Sequence, residues 1–220
     1  MNINDVVDLI ANLIGIITVL VSFLGATLWG ILKRKRASNR LHYLKFTIDK
    51  QTKRALRYYI PTRGQNIDPC SEDDYSTRHT FVTTKLVPYF IRTIFKQEET
   101  QYFLVLADSG MGKTTFLLKL FMNYYKKIFR KHDIVLIPLS LANSVNLIRE
   151  ISDKSNTILL LDGFDEDIFA MEDYHKRLKK LCDEAELFYK VIITCRTQFF
   201  PSSADEPQKV GKMRIGVGKK

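Results

Sequence analysis

The chain has 220 residues, 45% of them hydrophobic, which suits one soluble domain plus an appendage. Net charge is +10, from 34 Lys and Arg against 24 Asp and Glu, and eleven of the basic residues lie in 33–64, where Asp49 is the only acid. Three cysteines, Cys70, Cys182 and Cys195, have no C-x-x-C spacing and no nearby His pair, which argues against a zinc site or a disulfide framework and for reduced thiols.

Residues 9–32, LIANLIGIITVLVSFLGATLWGIL, carry no charge, and Asn12 is their only strongly polar member. About 24 such residues span a hydrocarbon core of about 30 Å. Trp29 stands where an interfacial aromatic belongs, and KRKR follows directly at 33–36. Ahead of the run lie Asp5 and Asp8 with no Lys or Arg, the reverse of a signal peptide. The expectation is a retained single-pass helix in the inner (cytoplasmic) membrane, with residues 1–8 outside and everything after 33 in the cytoplasm. The basic block of 33–64 then lies against anionic headgroups, which accounts for its charge without nucleic acid.

Residues 33–79 read as a basic juxtamembrane segment and linker, with an amphipathic stretch at 37–56 and loop at 57–75, where Pro61, Gly64 and Pro69 interrupt regular structure. TFVTTKLVPYFIRTIFK, 80–96, has helical spacing, with Pro88 as a start or kink.

QYFLVLA, 101–107, suits a buried parallel strand. Ala107, Asp108, Ser109, Gly110, Met111, Gly112, Lys113 and Thr114 match the phosphate-loop pattern G-x-x-x-x-G-K-[ST] with alanine in the first place, and Thr115 opens a helical run. Gly110 and Gly112 let the backbone approach oxygens, and the first N–H groups of the helix offer an anion site. Lys113 is placed to reach the β- and γ-phosphates and Thr114 to ligate Mg²⁺. Position 107 ends a strand and needs a small residue rather than positive φ, so alanine fits.

NTILLLDGFDE, 156–166, is an apolar strand ending in acids. Asp162 fits the magnesium aspartate of a second nucleotide strand. Either Asp165 or Glu166 can polarise water for attack on the γ-phosphate. YKVIITCRTQFF, 189–200, is a further strand; if it neighbours the phosphate-loop strand, Thr194 and Arg196 arrive at the γ-phosphate, where Arg196 senses or stabilises charge. A strand at 133–141 fits between the two nucleotide strands, and 144–153 and 167–188 read as helices. The alternation predicts a three-layer α/β P-loop NTPase core with a mainly parallel sheet, after an N-terminal transmembrane helix.

LADSGMGKTTFLL, ILLLDGFDED and VIITCRTQFFP together resemble the Walker A, extended Walker B and sensor motifs of the NACHT family of STAND NTPases. The run Asp162-Gly163-Phe164-Asp165-Glu166 is the most specific part. The resemblance covers about 58 to the C-terminus, and in that family alanine at the first loop position is an accepted variant. It implies an ATP/ADP switch with Mg²⁺, closed with ADP and homo-oligomeric with ATP, associated in prokaryotes with antiphage defence. It implies phosphate and magnesium roles for Lys113, Thr114 and Asp162, water activation by Asp165 and Glu166, and γ-phosphate sensing by Arg196. Residues 80–200 are then the NACHT-like core and 201–220 a truncated tail, with one strand beside the phosphate-loop strand expected to be missing and its edge left open. The competing expectation is a catalytically incompetent fragment acting only as a membrane-tethered interaction module. A slow ATPase is expected only where the parts beyond the sensor strand are dispensable.

Overall fold

The computed structural model describes residues 14–27, 30, 56–57, 59–65, 84–127, 130–202, 205, 207 and 211–215. Two compact units divide the chain, Met1–Thr47 and Ile48–Lys220. In the first, residues 14–27 are helical and their apolar side chains are exposed on every face, from Ile14 and Ile17 to Phe23 and Leu24. Among the described residues no helix is long and apolar enough to cross a membrane. The rest of the expected 9–32 span, residue 30 aside, and the amphipathic stretch at 37–55 lie outside the described residues.

The second unit is built on a seven-stranded sheet of order β2-β1-β7-β3-β6-β5-β4. Its strands are β1 (Arg63–Gln65), β2 (Thr84–Lys85), β3 (Tyr102–Ala107), β4 (Asp133–Pro138), β5 (Thr157–Asp162), β6 (Lys190–Arg196) and β7 (Gly211–Ile215). Five of them, β7-β3-β6-β5-β4, run parallel. Strands β3, β5 and β6 are near-continuous apolar runs, buried along almost their whole length, as central strands covered on both faces must be. In β4, Ile134 and Leu136 are buried while Asp133 and Val135 are half-buried, an alternation suited to an edge. It lies between the two nucleotide strands in sequence but beyond β5 in space.

The expected missing strand is present. Strand β7 pairs parallel to the outer side of β3, from Phe103↔Gly211 to Ala107↔Ile215, and β1 then pairs antiparallel to β7. The open edge beside the phosphate-loop strand is therefore closed, and the sheet reaches past both ends of the 80–200 core. The tail carries no apolar run, which is why it reads as loop. Gly211 answers a steric demand: a Cβ there would stand 2.5 Å from Cε1 of Phe103. Part of the 57–75 loop likewise forms β1.

Helix α1 (Leu86–Tyr89) continues into a π-turn, Phe90–Ile94. Pro88 sits in its first turn, where a missing N–H breaks no helical bond. Phe90 is fully buried, its ring edge-on to Phe95, Phe103 and Phe116 at 6.3, 6.1 and 5.4 Å. This aromatic cluster ties α1 to β3 and to α2 (Lys113–Tyr125). Helix α3 (Ser144–Arg149) follows β4. The 167–188 stretch is two helices, α4 (Ile168–Glu172) and α5 (Tyr174–Ala185), because Asp173 breaks the run and caps the second, accepting from the Lys176 N–H at 2.9 Å.

A buried ion pair bolts these helices together. Asp167 caps α4 through the Phe169 N–H, and its other oxygen takes Arg177 Nε at 2.6 Å. Arg177 also donates to Ser144 Oγ of α3 at 2.9 Å. The two charged side chains are 1% and 4% exposed, so removing either strands the other without water. Arg177→Ala is expected to destabilise the chain by about 3 kcal/mol or more, read as a lowered melting temperature; a loss under about 1 kcal/mol would place the pair in solvent.

At the opposite end of the sheet from the phosphate loop, His132 is buried and stacks on Tyr189, with 3.7 Å between centroids. Burial first, then the Lys131 cation, hold its imidazole below the ordinary value, against opposing pulls from Asn156 and Asp133. The folded chain thus binds fewer protons than the unfolded chain as pH drops below about 6.5. Stability is full above that pH and declines from there toward the folded pKa. His132→Phe keeps a stacking ring and removes the proton site. It is expected to flatten the fall in melting temperature between about pH 7 and pH 5; an unaltered slope would assign the fall to other groups.

Candidate functional site

The carboxyl ends of β3, β5 and β6 come together at one edge of the sheet, and every residue singled out in the motifs arrives there. Ala107 is the last residue of β3, completely buried, in register with Arg196 on one side and Ile215 on the other. No non-glycine residue among those described has positive φ, so Ala107 keeps ordinary strand backbone and alanine strains nothing.

Asp108, Ser109, Gly110 and Met111 are exposed and form the loop. Gly110 and Gly112 have φ of 76° and 82°, the left-handed region where side chains are strained. Beyond each glycine's own chain neighbours no atom lies within 4 Å of where its Cβ would stand. Lys113 begins α2 and curls back to donate from Nζ to the Ala107 carbonyl at 3.2 Å, which lays its ammonium across the loop. Thr114 and Thr115 follow in the first turn, beside the unpaired N–H groups of the helix start.

Facing the loop from β5 is Asp162. Its Oδ1 accepts from Thr194 Oγ1 at 2.8 Å, and the Thr114 hydroxyl is near enough to favour the charged carboxylate. Burial, the largest influence, and the charge of Asp165 push Asp162 above the usual carboxylate range; the two threonine hydroxyls and Lys113 pull the other way. A carboxylate disfavoured as an anion and facing a hydroxyl is a fitting pair of ligands for a hard cation. The residues fit a magnesium–nucleotide pair: the glycine loop for phosphate, Lys113 for its charge, Thr114 and Asp162 for the metal. Thr194, expected at the γ-phosphate, instead bridges: it holds Asp162 and accepts the Gly163 N–H at 2.9 Å.

Gly163 has φ of 74°, and a Cβ there would lie 3.2 Å from Glu166 Oε2. That glycine lets the chain turn sharply into Phe164–Glu166, a single 3-10 turn whose Phe164 is buried. The turn separates the two acids that adjacency left equivalent. Asp165 is buried and bound to Arg196: Oδ1 accepts the Arg196 backbone N–H at 2.9 Å, and Oδ2 lies 2.7 Å from Nε. Glu166 is exposed, and among the described residues no ion pair holds it. Asp165, Glu166 and Arg196 line a cleft of about 390 Å³ together with Met171, Gln198 and Phe199. Gln198 and Phe199 were not legible in sequence, because they belong to a turn past the end of β6. A second cleft, about 410 Å³ between α3, α4 and α5, holds none of the motif residues.

A parallel sheet with the glycine-loop strand β3 inside it, flanked by β6 and then by the acid-ended β5, has the arrangement of a P-loop NTPase fold. No protein-family model matches the chain, and no curated protein matches it. Among solved structures it is similar to the crystal structure of Cdc6p from Pyrobaculum aerophilum, at 16% identity and a TM-score of 0.35, over 57% of this chain and 43% of that one. The chain thus spans less than half the length of that neighbour, and the architecture stated here rests on strand order and loop geometry rather than on the likeness.

Proposed function

We propose that this chain is a membrane-anchored ATP-binding switch of the NACHT type, with slow hydrolysis. The observation that carries the nucleotide part is the meeting of Lys113, Thr114, Asp162 and Arg196 at one end of one sheet. The three motifs quoted above favour the NACHT type within this architecture. In the ATP-bound state Lys113 and the N-terminal amides of α2 hold the β- and γ-phosphates, Thr114 and Asp162 hold magnesium, and Arg196 reads the γ-phosphate. Magnesium, when bound, neutralises phosphate charge. Thr194 keeps the Asp162 carboxylate turned toward that position. Loss of the γ-phosphate removes the charge Arg196 answers to, so ATP and ADP states differ at the end of β6. Homo-oligomerisation on ATP binding and a place in antiphage defence belong to the same proposal.

Membrane attachment is supported by the helix at 14–27. Its apolar side chains face outward all round, and Thr18, Ser22 and Thr27 donate their hydroxyls to carbonyls three or four residues back. A helix that satisfies its own polar groups suits lipid. The uncharged run 9–32 and the basic block 33–64 favour an N-terminus outside and a nucleotide unit in the cytoplasm, with anionic headgroups as the block's partner.

The test is to express the full chain in a bacterium and fractionate it. Extraction from membranes by detergent but not by alkaline carbonate is expected. The detergent-solubilised chain is then expected to bind fluorescent ATP in the presence of Mg²⁺. A chain in the soluble fraction would remove the anchor from the proposal; a folded chain that binds no nucleotide would remove the switch.

A further inference from the structure

We propose that Asp165 is the positioning residue for Arg196 and that Glu166 alone of the two acids is left to act on water. The proposal rests on the nucleotide reading of the site given above.

Both oxygens of Asp165 face one residue, one through a hydrogen bond and the other through an ion pair. One takes the Arg196 backbone N–H at 2.9 Å, and the other sits 2.7 Å from Nε, the inner nitrogen of the guanidinium. The carboxylate thus fixes where the side chain leaves the strand and where its head begins. The head needs this support. Arg196 is the last residue of β6, its side chain 48% exposed, while that of Asp165 is 3% exposed and cannot follow it into solvent. The anchored end stands level with Ala107, where the phosphate loop begins. A guanidinium gripped from behind at this place is pre-aimed, and little ordering remains when a phosphate arrives.

The same burial keeps Asp165 away from an attacking water. The Asp165 carboxylate is buried beside the Arg196 guanidinium, and its Oδ2, ion-paired to Nε and without a hydrogen-bond partner among the described residues, is closed off from solvent. Glu166 differs in each respect. It is exposed, lines the cleft, and its Oε2 folds back over Gly163, next to the metal-binding aspartate. Asp165 therefore serves nucleotide discrimination and Glu166 serves hydrolysis.

The experiment measures Mg²⁺-ATP and Mg²⁺-ADP affinities of the detergent-solubilised full chain, with Asp165→Asn, Arg196→Ala, the double variant and Lys113→Ala. Asp165→Asn keeps an acceptor for the backbone N–H and loses the ion pair. It is expected to lose ATP-over-ADP preference by about tenfold, as Arg196→Ala does, with ADP affinity kept. The double variant is expected to be no worse than Arg196→Ala, because both changes break one unit. Should Asp165→Asn unfold, Asp165→Glu keeps the charge, moves the guanidinium by one methylene, and is expected to lower ATP affinity selectively. An ATP preference untouched by either Asp165 substitution, or losses that multiply in the double variant, would overturn the proposal. Wild-type binding that is indifferent to Lys113→Ala would instead overturn the nucleotide reading, and the two failures are distinguishable.

Discussion

Lys113→Ala is expected to lower Mg²⁺-ATP affinity by about a hundredfold or more, with the melting temperature close to that of the wild type. Two facts set the sign and the size. The Lys113 ammonium sits across the mouth of the loop, and its recorded hydrogen bond is to the Ala107 carbonyl at 3.2 Å, a contact of neutral and charged partners that a phosphate would outcompete. A charge-assisted hydrogen bond is worth about 1.5–3 kcal/mol, and one lysine spanning two phosphates makes more than one, which gives about two decades of affinity. The backbone amides of the loop and α2 remain, so residual binding is expected at high concentration. Stability is expected to hold because Lys113 is half-buried at a surface loop and, among the described residues, belongs to no buried ion pair. Titration of the purified full chain with fluorescent ATP, beside thermal denaturation of the same preparations, checks both halves. Equal affinities would mean that the loop is not a phosphate cradle.

The nucleotide end of this fold is legible in sequence for a physical reason. Strands β3, β5 and β6 are buried on both faces, so each must be a solid apolar run that ends where the chain turns out of the sheet. Ala107, Asp162 and Arg196 are those stopping points. What escaped the sequence is what other forces decide. Strand β7, with Lys212 and Arg214 among its five residues, fits where Gly211 clears Phe103 and Ile215 is buried. The Asp167–Arg177 pair depends on a ten-residue separation across a helix break, and no periodicity marks it. The roles of Asp165 and Glu166 turn on a single 3-10 turn. One residue of rotation sends one carboxylate into the core against Arg196 and the other into the cleft, and adjacent letters carry no trace of that.

Glu166→Gln is expected to slow hydrolysis by about a hundredfold while leaving ATP affinity intact, so that the variant stays in the ATP state. The glutamine has the shape of glutamate and keeps a hydrogen-bond acceptor, but it cannot take a proton from an attacking water. Because Glu166 is exposed and outside the packed core, its loss leaves the fold alone. The contrast with Asp165 is the informative part. Were the two acids interchangeable, either substitution would slow turnover and neither would alter the choice between ATP and ADP. With the geometry described, Glu166→Gln changes the rate and not the choice, and Asp165→Asn changes the choice first, its effect on rate following from a misaimed Arg196. Single-turnover phosphate release from saturating Mg²⁺-ATP separates these cases, because it reads the chemical step independently of affinity. Hydrolysis by Glu166→Gln at the wild-type rate would mean that Glu166 is not the base.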